Sequence, residues 1–227
     1  MPYYGFNLQW LYSTRAEPAG PDERVLDAVA AWGFNFVRLP LDYRLLGVDG
    51  DLYTPDERVR GLLDDVVAAV RQRDLHVSLC LHRAPGYIIT GWETEPYNLF
   101  ADAPAQDAFV HLWTSLAERY VGVPGSGLSF DLVNEPPAIG LRGFTRDAHE
   151  AVVRRTVAAL RAVDPARPIT IDGLDGGNLA MPELADLGLT QSVRGYQPMT
   201  VSHHEAAWWP GHVGMPRPTY PVSYDGR

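Results

Sequence analysis

The chain has 227 residues, 46% of them hydrophobic and 21% charged, a composition typical of a globular domain with a full-sized core. Its net charge of -9, with 28 acidic against 19 basic residues, argues against a basic surface for nucleic acid. No apolar run approaches the ~20 residues that span a bilayer, so no membrane partner is expected.

The N-terminus and the single cysteine bear on the cellular compartment. Residues 1–8 lack the charged and apolar regions of a signal peptide, so the sequence predicts a cytoplasmic protein. Cys80 is the only cysteine, which excludes an internal disulfide and a cysteine-based zinc site. We predict that its thiol is a small buried apolar group, and no motif indicates a metal or another cofactor.

Short apolar runs alternate with longer segments of helical period, which indicates a parallel sheet covered by helices. The strands are predicted at residues 5–10, 34–40, 76–82, 128–134, 169–173 and 193–196. A first helix begins near Pro21 and turns Val25, Leu26 and Val29 inward. It connects the first two strands.

The second helix has the clearest signal. Thr54 is its predicted N-cap, Pro55 its first residue and Glu57 the partner in a capping box. Its apolar stripe consists of Val59, Leu62, Leu63, Val66, Val67 and Val70. Similar stripes predict a third helix through Phe109, Leu112, Trp113, Leu116 and Tyr120, and a fourth over residues 145–164.

Polar residues mark the predicted strand ends: Arg38, His82, Asn134, Glu135, Asp172 and Tyr196. In a barrel these ends converge on one mouth, whereas in an open doubly wound sheet they spread along a line. The open sheet is less favoured because no Gly-x-Gly-x-x-Gly motif follows the first strand. The predicted fold class is therefore α/β, a (β/α)8 barrel of the TIM type.

The length limits how much of such a barrel the chain contains. Six units in about 198 residues average roughly 33 each, so eight units need about 260 or more. Residues 199–227 are rich in proline, which leaves no room for two further strands with their helices. We predict one domain over residues 1–227, with about six of the eight βα units and an incomplete C-terminal end.

The fourth strand ends in Asn134-Glu135-Pro136, and a carboxyl group there has a specific chemical use. Cleavage of a glycosidic bond needs one carboxylic acid to protonate the leaving oxygen and one carboxylate on the other side of the sugar. Glu135 suits the acid, Asn134 can bind a sugar hydroxyl, and Pro136 stiffens the turn. The alternative is that the tripeptide only marks the passage from strand to loop.

Two further strand ends carry a charge or a titratable ring. An unpaired guanidinium is costly at the end of an apolar strand, so we predict that Arg38 pairs with a carboxylate in the mouth. The alternative is that Arg38 reaches solvent. Alternation in the third strand places Ser78, Cys80 and His82 on one face, which predicts a polar inner side. His82 is then either a site residue or a hydrogen-bonded structural one.

Arg-x-Pro on the second strand, His on the third and Asn-Glu-Pro on the fourth together resemble the cellulase-type glycoside hydrolases of family 5, which are retaining (β/α)8 enzymes. The resemblance covers essentially the whole chain. It implies that Glu135 is the general acid/base and that Arg38, His82 and Asn134 support it. It also implies a β-linked polysaccharide or oligosaccharide as the substrate.

The sequence departs from that family in two places. The family commonly carries His-x-Tyr-x-Pro on the sixth strand; Tyr196 matches this pattern, but Arg194 stands in place of the histidine. Residues 200–204 resemble a segment that follows strand six in some members, which suggests His203 as a further site residue. The family's nucleophilic Glu on strand seven and its Trp after strand eight have no counterpart, so we expect truncation before the nucleophile.

The sequence is compatible with three functions. The first is a glycosidase acting on a β-linked glycan by a retaining two-carboxylate mechanism, for which this chain supplies the acid/base; Trp92 is predicted to stack on a sugar ring. The second is a carbohydrate-binding pseudoenzyme without turnover. The third is a metal-dependent barrel hydrolase, although no metal-binding spacing occurs among its candidate ligands His82, Asp172, His203 and His204.

Overall fold

A computed structural model describes residues 2–209, 211 and 213–218. Its strands are β1 (Gly5–Asn7), β2 (Phe36–Asp42), β3 (Gly47–Val48), β4 (Asp51–Pro55), β5 (His76–Ala84), β6 (Tyr87–Ile88), β7 (Leu128–Asp131), β8 (Ile169–Asp172) and β9 (Thr190–Ser192). Its helices are α1 (Glu23–Ala31), α2 (Glu57–Arg71), α3 (Ala103–Tyr120), α4 (Arg146–Val163) and the short α5 (Leu174–Gly177) and α6 (Met199–Ser202).

The main sheet has the order β1-β2-β5-β7-β8-β9, and all neighbours along this path are parallel. The short β6 pairs antiparallel with β5, and β3 with β4 forms a separate hairpin. Within the described residues β1 and β9 do not pair, so the sheet is a curled half-barrel. The predicted partial (β/α)8 fold is confirmed, whereas the hairpin and β6 were not predicted.

The long helices follow the predicted apolar stripes, but the start of one helix differs. In α2 the N-cap is Asp56, whose carboxylate accepts the Val59 N–H at 3.1 Å. Thr54 belongs to β4, and its hydroxyl group donates to Asp51 instead. The predicted capping box was therefore wrong, because an aspartate directly before Glu57 caps the helix first.

The other helix starts agree more closely with the sequence patterns. Thr145, at the start of the range predicted for the fourth helix, caps α4, and its hydroxyl oxygen accepts the Ala148 N–H at 3.1 Å. Asp22 caps α1, in which Leu26 and Val29 are buried as predicted. Val25 was wrongly placed in this stripe, since it is exposed on the outer surface. Within the described ranges no helix is long and apolar enough to cross a membrane.

The last strand lies three residues earlier than predicted. β9 covers Thr190–Ser192, in register with β8 through the pairs Thr170 with Thr190 and Asp172 with Ser192. Val193, where the strand was predicted to begin, is 69% exposed. The prediction failed because β9 is short and polar and shows no apolar alternation. Arg194 and Tyr196 consequently lie in the segment that leaves the strand end.

Alternating side chains separate the two faces of the sheet. Val37, Leu39, Val77 and Leu79 are fully buried in the core shared with the helices, whereas Arg38 and Ser78 border a cavity on the other face. The polar inner side predicted for β5 is therefore confirmed. At the edge, a Cβ on Gly5 would lie 1.6 Å from the Phe36 carbonyl oxygen, so glycine is needed for β1 to approach β2.

Candidate active site at the carboxyl ends of the strands

A cavity of about 670 Å³ follows the inner face of the half-barrel. Its lining includes six polar side chains: Arg38, His82, Asn134, Glu135, Arg194 and Tyr196. Arg38 lies within β2, which continues to Asp42 beyond the predicted strand end, and the other five lie near or beyond the carboxyl ends of their strands. All but Arg194 were predicted as site residues. Parallel strands bring their carboxyl ends to a single mouth, which explains why side chains from distant parts of the sequence meet here.

Arg38 has the carboxylate partner that the sequence predicted, and that partner is Asp131. The Nε atom donates to Oδ2 of Asp131 at 2.7 Å, and both side chains are largely buried. Nη2 of Arg38 also donates to Sγ of Cys80 at 2.8 Å. Burial raises the pKa of the Cys80 thiol, so the sulfur accepts this bond as a neutral group. The expectation of a purely apolar cysteine was incomplete.

Asn134 lies between two arginines. Its Oδ1 accepts from Nη2 of Arg38 at 3.0 Å and from Nη2 of Arg194 at 3.2 Å. These two donors determine which end of the amide is the oxygen. Its Nδ2 is buried and makes no hydrogen bond within the described part of the chain. The amide therefore has unused N–H donors beside the cavity.

The backbone of Glu135 is held in an unusual conformation. Its φ of 47° lies in the left-handed region, which is uncommon for a residue other than glycine. Its N–H donates to Oδ2 of Asp172 at 2.8 Å, and its carbonyl oxygen accepts from the Tyr87 hydroxyl group at 2.5 Å. Strained residues are concentrated at functional sites, and here neighbouring side chains maintain the strain.

The Glu135 side chain is bound by two donors at one oxygen. Oε1 accepts from Nε of Arg194 at 2.9 Å and from the Tyr196 hydroxyl group at 2.7 Å. Burial, and next the hydrogen bond to Glu135, raise the pKa of Tyr196 to about 12, so it remains a donor at neutral pH. Sequence reasoning identified Tyr196 but treated Arg194 only as a departure from a pattern.

A signal for Arg194 was present in the sequence. Asp172 ends β8 and Arg194 follows β9, so opposite charges stand at adjacent strand ends. In the structure Nη1 of Arg194 donates to Oδ1 of Asp172 at 3.1 Å, and Nη2 donates to Oδ2. The misplaced strand hid this juxtaposition, because it put Arg194 inside a strand rather than beyond its end.

His82 borders the cavity, as predicted, but it carries no charge there. Burial, followed by the positive charges of Arg38 and two further arginines, lowers its pKa to about 3. Its Nδ1 is buried without a partner among the residues described, and Tyr12 packs edge to face against the ring at 4.9 Å. His82 is therefore a neutral imidazole at the mouth.

Trp92 does not occupy the stacking position predicted for it. The side chain is only 4% exposed and packs edge to face against Tyr87 and Phe100. The guanidinium of Arg142 covers one face, 4.9 Å from the ring centroid. The indole is therefore unavailable for stacking on a sugar, because the loop after β6 folds inward around it.

His203 and Asp172 each contact a side chain that binds Glu135. His203 packs edge to face against Tyr196 at 5.0 Å, so it supports a residue that contacts Glu135. Asp172 is fully buried against Arg194, and no group of three or more His, Cys, Asp or Glu side chains within the described ranges could hold a metal ion. The structure does not bring the four candidate ligands together.

The parallel half-barrel and the carboxyl group at its mouth define a protein of the barrel glycoside hydrolase type. The chain belongs to the cellulase family, glycosyl hydrolase family 5, whose family model matches residues 2–213. The family predicted from the sequence motifs is thereby confirmed.

Individual relatives agree with this assignment. A crystal structure of a glycoside hydrolase is 50% identical, with a TM-score of 0.94 over 100% of this chain and 70% of that one. Endoglucanase C of Acetivibrio thermocellus is 27% identical over 90% of this chain. Endoglucanase Cel5A of Thermotoga maritima shares the fold, with a TM-score of 0.72 at 20% identity over 92% of this chain and 65% of that one. The chain spans 59% of the length of Endoglucanase C.

Proposed function

We propose that this chain provides the acid/base part of an enzyme that hydrolyses β-linked glucans, with Glu135 protonating the leaving glycosidic oxygen. The observation that carries the proposal is the Glu135 carboxyl group, held by Arg194 and Tyr196 at the cavity mouth. A positioned carboxylic acid of this kind contributes about 10²–10⁴-fold to proton-transfer catalysis. Similarity to endoglucanases supports a glucan substrate.

Asn134 supports a hydroxyl-rich ligand in the cavity. Its buried Nδ2 lacks an acceptor within the described part of the chain, and an unpartnered buried donor is costly. A sugar hydroxyl group beside Glu135 satisfies this donor. The proposal thus assigns Asn134 to substrate binding and Glu135 to proton transfer.

A retaining mechanism also needs a second carboxylate, the nucleophile. Among the described residues that line the cavity, the acidic ones are Asp131 and Glu135, and Asp131 is buried against Arg38. A retaining mechanism needs a nucleophile about 5 Å from the acid. We therefore propose that the nucleophile is supplied from outside the described residues.

Added azide can act as the nucleophile, so it tests the proposed role of Glu135 on this chain alone. Azide attacks C1 of phenyl β-cellobioside from the α face, the C1–O bond breaks, and Glu135 gives its proton to the departing phenolate oxygen. We expect azide-dependent turnover that yields α-cellobiosyl azide. Glu135→Gln should lower the rate by about 10²–10⁴-fold. Absence of turnover with azide and with formate, or an unimpaired Glu135→Gln variant, overturns the proposal.

A carbohydrate-binding pseudoenzyme is the second candidate, favoured by the same shortage of accessible carboxylates. Calorimetry with cellotetraose separates the two. Binding without azide-dependent turnover supports the pseudoenzyme, whereas binding together with turnover supports the glycosidase. The absence of binding at millimolar ligand counts against both.

A further inference from the structure

We infer that Arg194 is a positioning residue for Glu135, which makes Oε2 the oxygen that carries the transferred proton. This inference rests on the proposed glycosidase function and extends it to the geometry of one carboxyl group. Arg194 replaces the histidine that the related pattern carries at this position. Its role is therefore read from the contacts of this chain.

The two oxygens of Glu135 have different surroundings. Oε1 receives both the Arg194 Nε–H at 2.9 Å and the Tyr196 hydroxyl group at 2.7 Å, whereas no described residue donates to Oε2. A guanidinium can donate hydrogen bonds but cannot accept them. A proton on Oε1 would therefore point at the N–H of Arg194, which has no lone pair to receive it. The proton of the acid form is therefore directed to Oε2.

Arg194 is held firmly enough to impose this geometry. Its two terminal nitrogens bind both carboxylate oxygens of Asp172, and Nη1 also donates to the Ser192 hydroxyl group at 2.6 Å. Bidentate arginine–carboxylate pairs fix orientation as well as distance. The side chain is 13% exposed, and the fully buried Asp172 anchors it in turn.

Asp172 completes a ring of hydrogen bonds with Arg194 and Glu135. Its Oδ2 accepts the backbone N–H of Glu135 at 2.8 Å, while Arg194 links the same carboxylate to Oε1 of Glu135. Backbone and side chain of the acid are thus tied to one residue on β8. A displacement of about 1 Å at a reacting group can cost about 10²-fold in rate, so this ring has a catalytic consequence.

The kinetic test compares substrates that differ in their need for proton transfer. Phenyl β-cellobioside requires an acid, whereas 2,4-dinitrophenolate leaves without one. In the azide assay, Arg194→Gln should lower kcat/KM for the phenyl substrate by about 10²-fold and for the dinitrophenyl substrate by less than about 5-fold. Arg194→Lys should restore part of the difference, because the cation remains.

A matched control removes an arginine with similar partners elsewhere. Arg154 on α4 pairs with Glu150 and Asp186 outside the cavity, so Arg154→Gln should leave both substrates unaffected. Equal losses on the two substrates in Arg194→Gln indicate a merely structural role and overturn the inference. So does full activity of this variant on the phenyl substrate.

Crystal structures provide a readout that does not depend on turnover. In Arg194→Gln the Glu135 carboxyl group should rotate or occupy more than one position, and in Arg194→Lys it should remain closer to its present place. An unchanged Glu135 in the Arg194→Gln variant overturns the inference. If the unmodified chain shows no turnover, the proposed function fails, while this comparison still decides whether Arg194 positions the carboxyl group.

Discussion

The site contains two arginines that resemble each other and act on different parts of it. Arg38 and Arg194 each bind a buried aspartate, and both donate to Oδ1 of Asn134. Only Arg194 also binds Glu135. The Arg38 pair lies between β2 and β7 within the sheet, whereas Arg194 projects from the segment after β9.

The two arginines therefore have different roles: Arg38 chiefly supports the fold, and Arg194 chiefly supports the chemistry. Arg38 neutralises a carboxylate on the inner wall and fixes Asn134, so its loss should appear first as lost stability. Arg194 links a buried carboxylate to the reacting one, so its loss should appear first in the rate. The sequence predicted a carboxylate partner for Arg38, which is Asp131, but it did not identify Arg194 as the arginine that contacts Glu135.

The largest expected effect is on stability, and it compares the loss of Arg38 with the loss of Arg194. Arg38→Met leaves Asp131 buried without a cation and should lower the free energy of unfolding by about 3–4 kcal/mol. Arg194→Gln should cost only about 1–2 kcal/mol, because Asp172 keeps the N–H of Glu135 at 2.8 Å and Arg38 at 4.0 Å. Urea unfolding at neutral pH measures both. Equal losses contradict the two roles.

Acid should destabilise the fold through His149, a buried histidine that belongs to neither arginine pair. His149 on α4 is buried with neither ring nitrogen bonded to any described residue, and burial chiefly lowers its pKa to about 4. The unfolded chain binds this proton near pH 6.5, so the stability is complete above that pH and declines as the pH falls toward 4. The decline should reach about 2–3 kcal/mol.

His149→Leu should remove its own part of the acid dependence, whereas the part due to His82, whose pKa is about 3, should remain, because the unfolded chain binds that proton near pH 6.5 as well. Urea unfolding across pH 4–7 measures the difference between the variant and the parent. Val152→Ala, also on the buried face of α4, is the control: it removes no titrating group and should leave the shape of the parental profile unchanged. A variant at position 149 that is as acid-sensitive as the parent refutes the assignment.

The smallest expected effect concerns the second donor to Glu135. Tyr196→Phe removes the hydroxyl group at 2.7 Å from Oε1 but leaves Arg194 in place. Loss of one hydrogen bond corresponds to about 1 kcal/mol, so azide-dependent turnover should fall about 5-fold. Tyr53→Phe in the exposed hairpin is the control. A larger loss than in Arg194→Gln reverses the ranking of the two donors.

Periodicity predicted most of the fold. The long helices and the strands β2, β5, β7 and β8 follow apolar patterns that are driven by burial against the shared core, whereas the residues of β1 are exposed. β9 was misplaced because it has three residues, Thr190–Ser192, and its position is determined by pairing with β8. The start of α2 was missed because Thr54 and Asp56 are both good caps, and only the hairpin before the helix decides between them.

The sequence predicted which residues form the site better than it predicted which of them contact each other. A cation at the end of an apolar strand indicated a carboxylate partner for Arg38, but the sequence did not identify Asp131. Trp92 was misjudged because the stacking chemistry of an indole does not reveal whether a loop turns it inward. The ring through Asp172 and Arg194 depends on strand register, which residue types alone do not determine.

The left-handed backbone at Glu135 has a consequence for redesign. A residue other than glycine at φ 47° carries a conformational cost of order 1–3 kcal/mol. Substitutions chosen only to raise thermal stability would therefore favour glycine or asparagine at this position. A design procedure guided by folding energy alone would thus treat the proposed acid as a defect to be repaired.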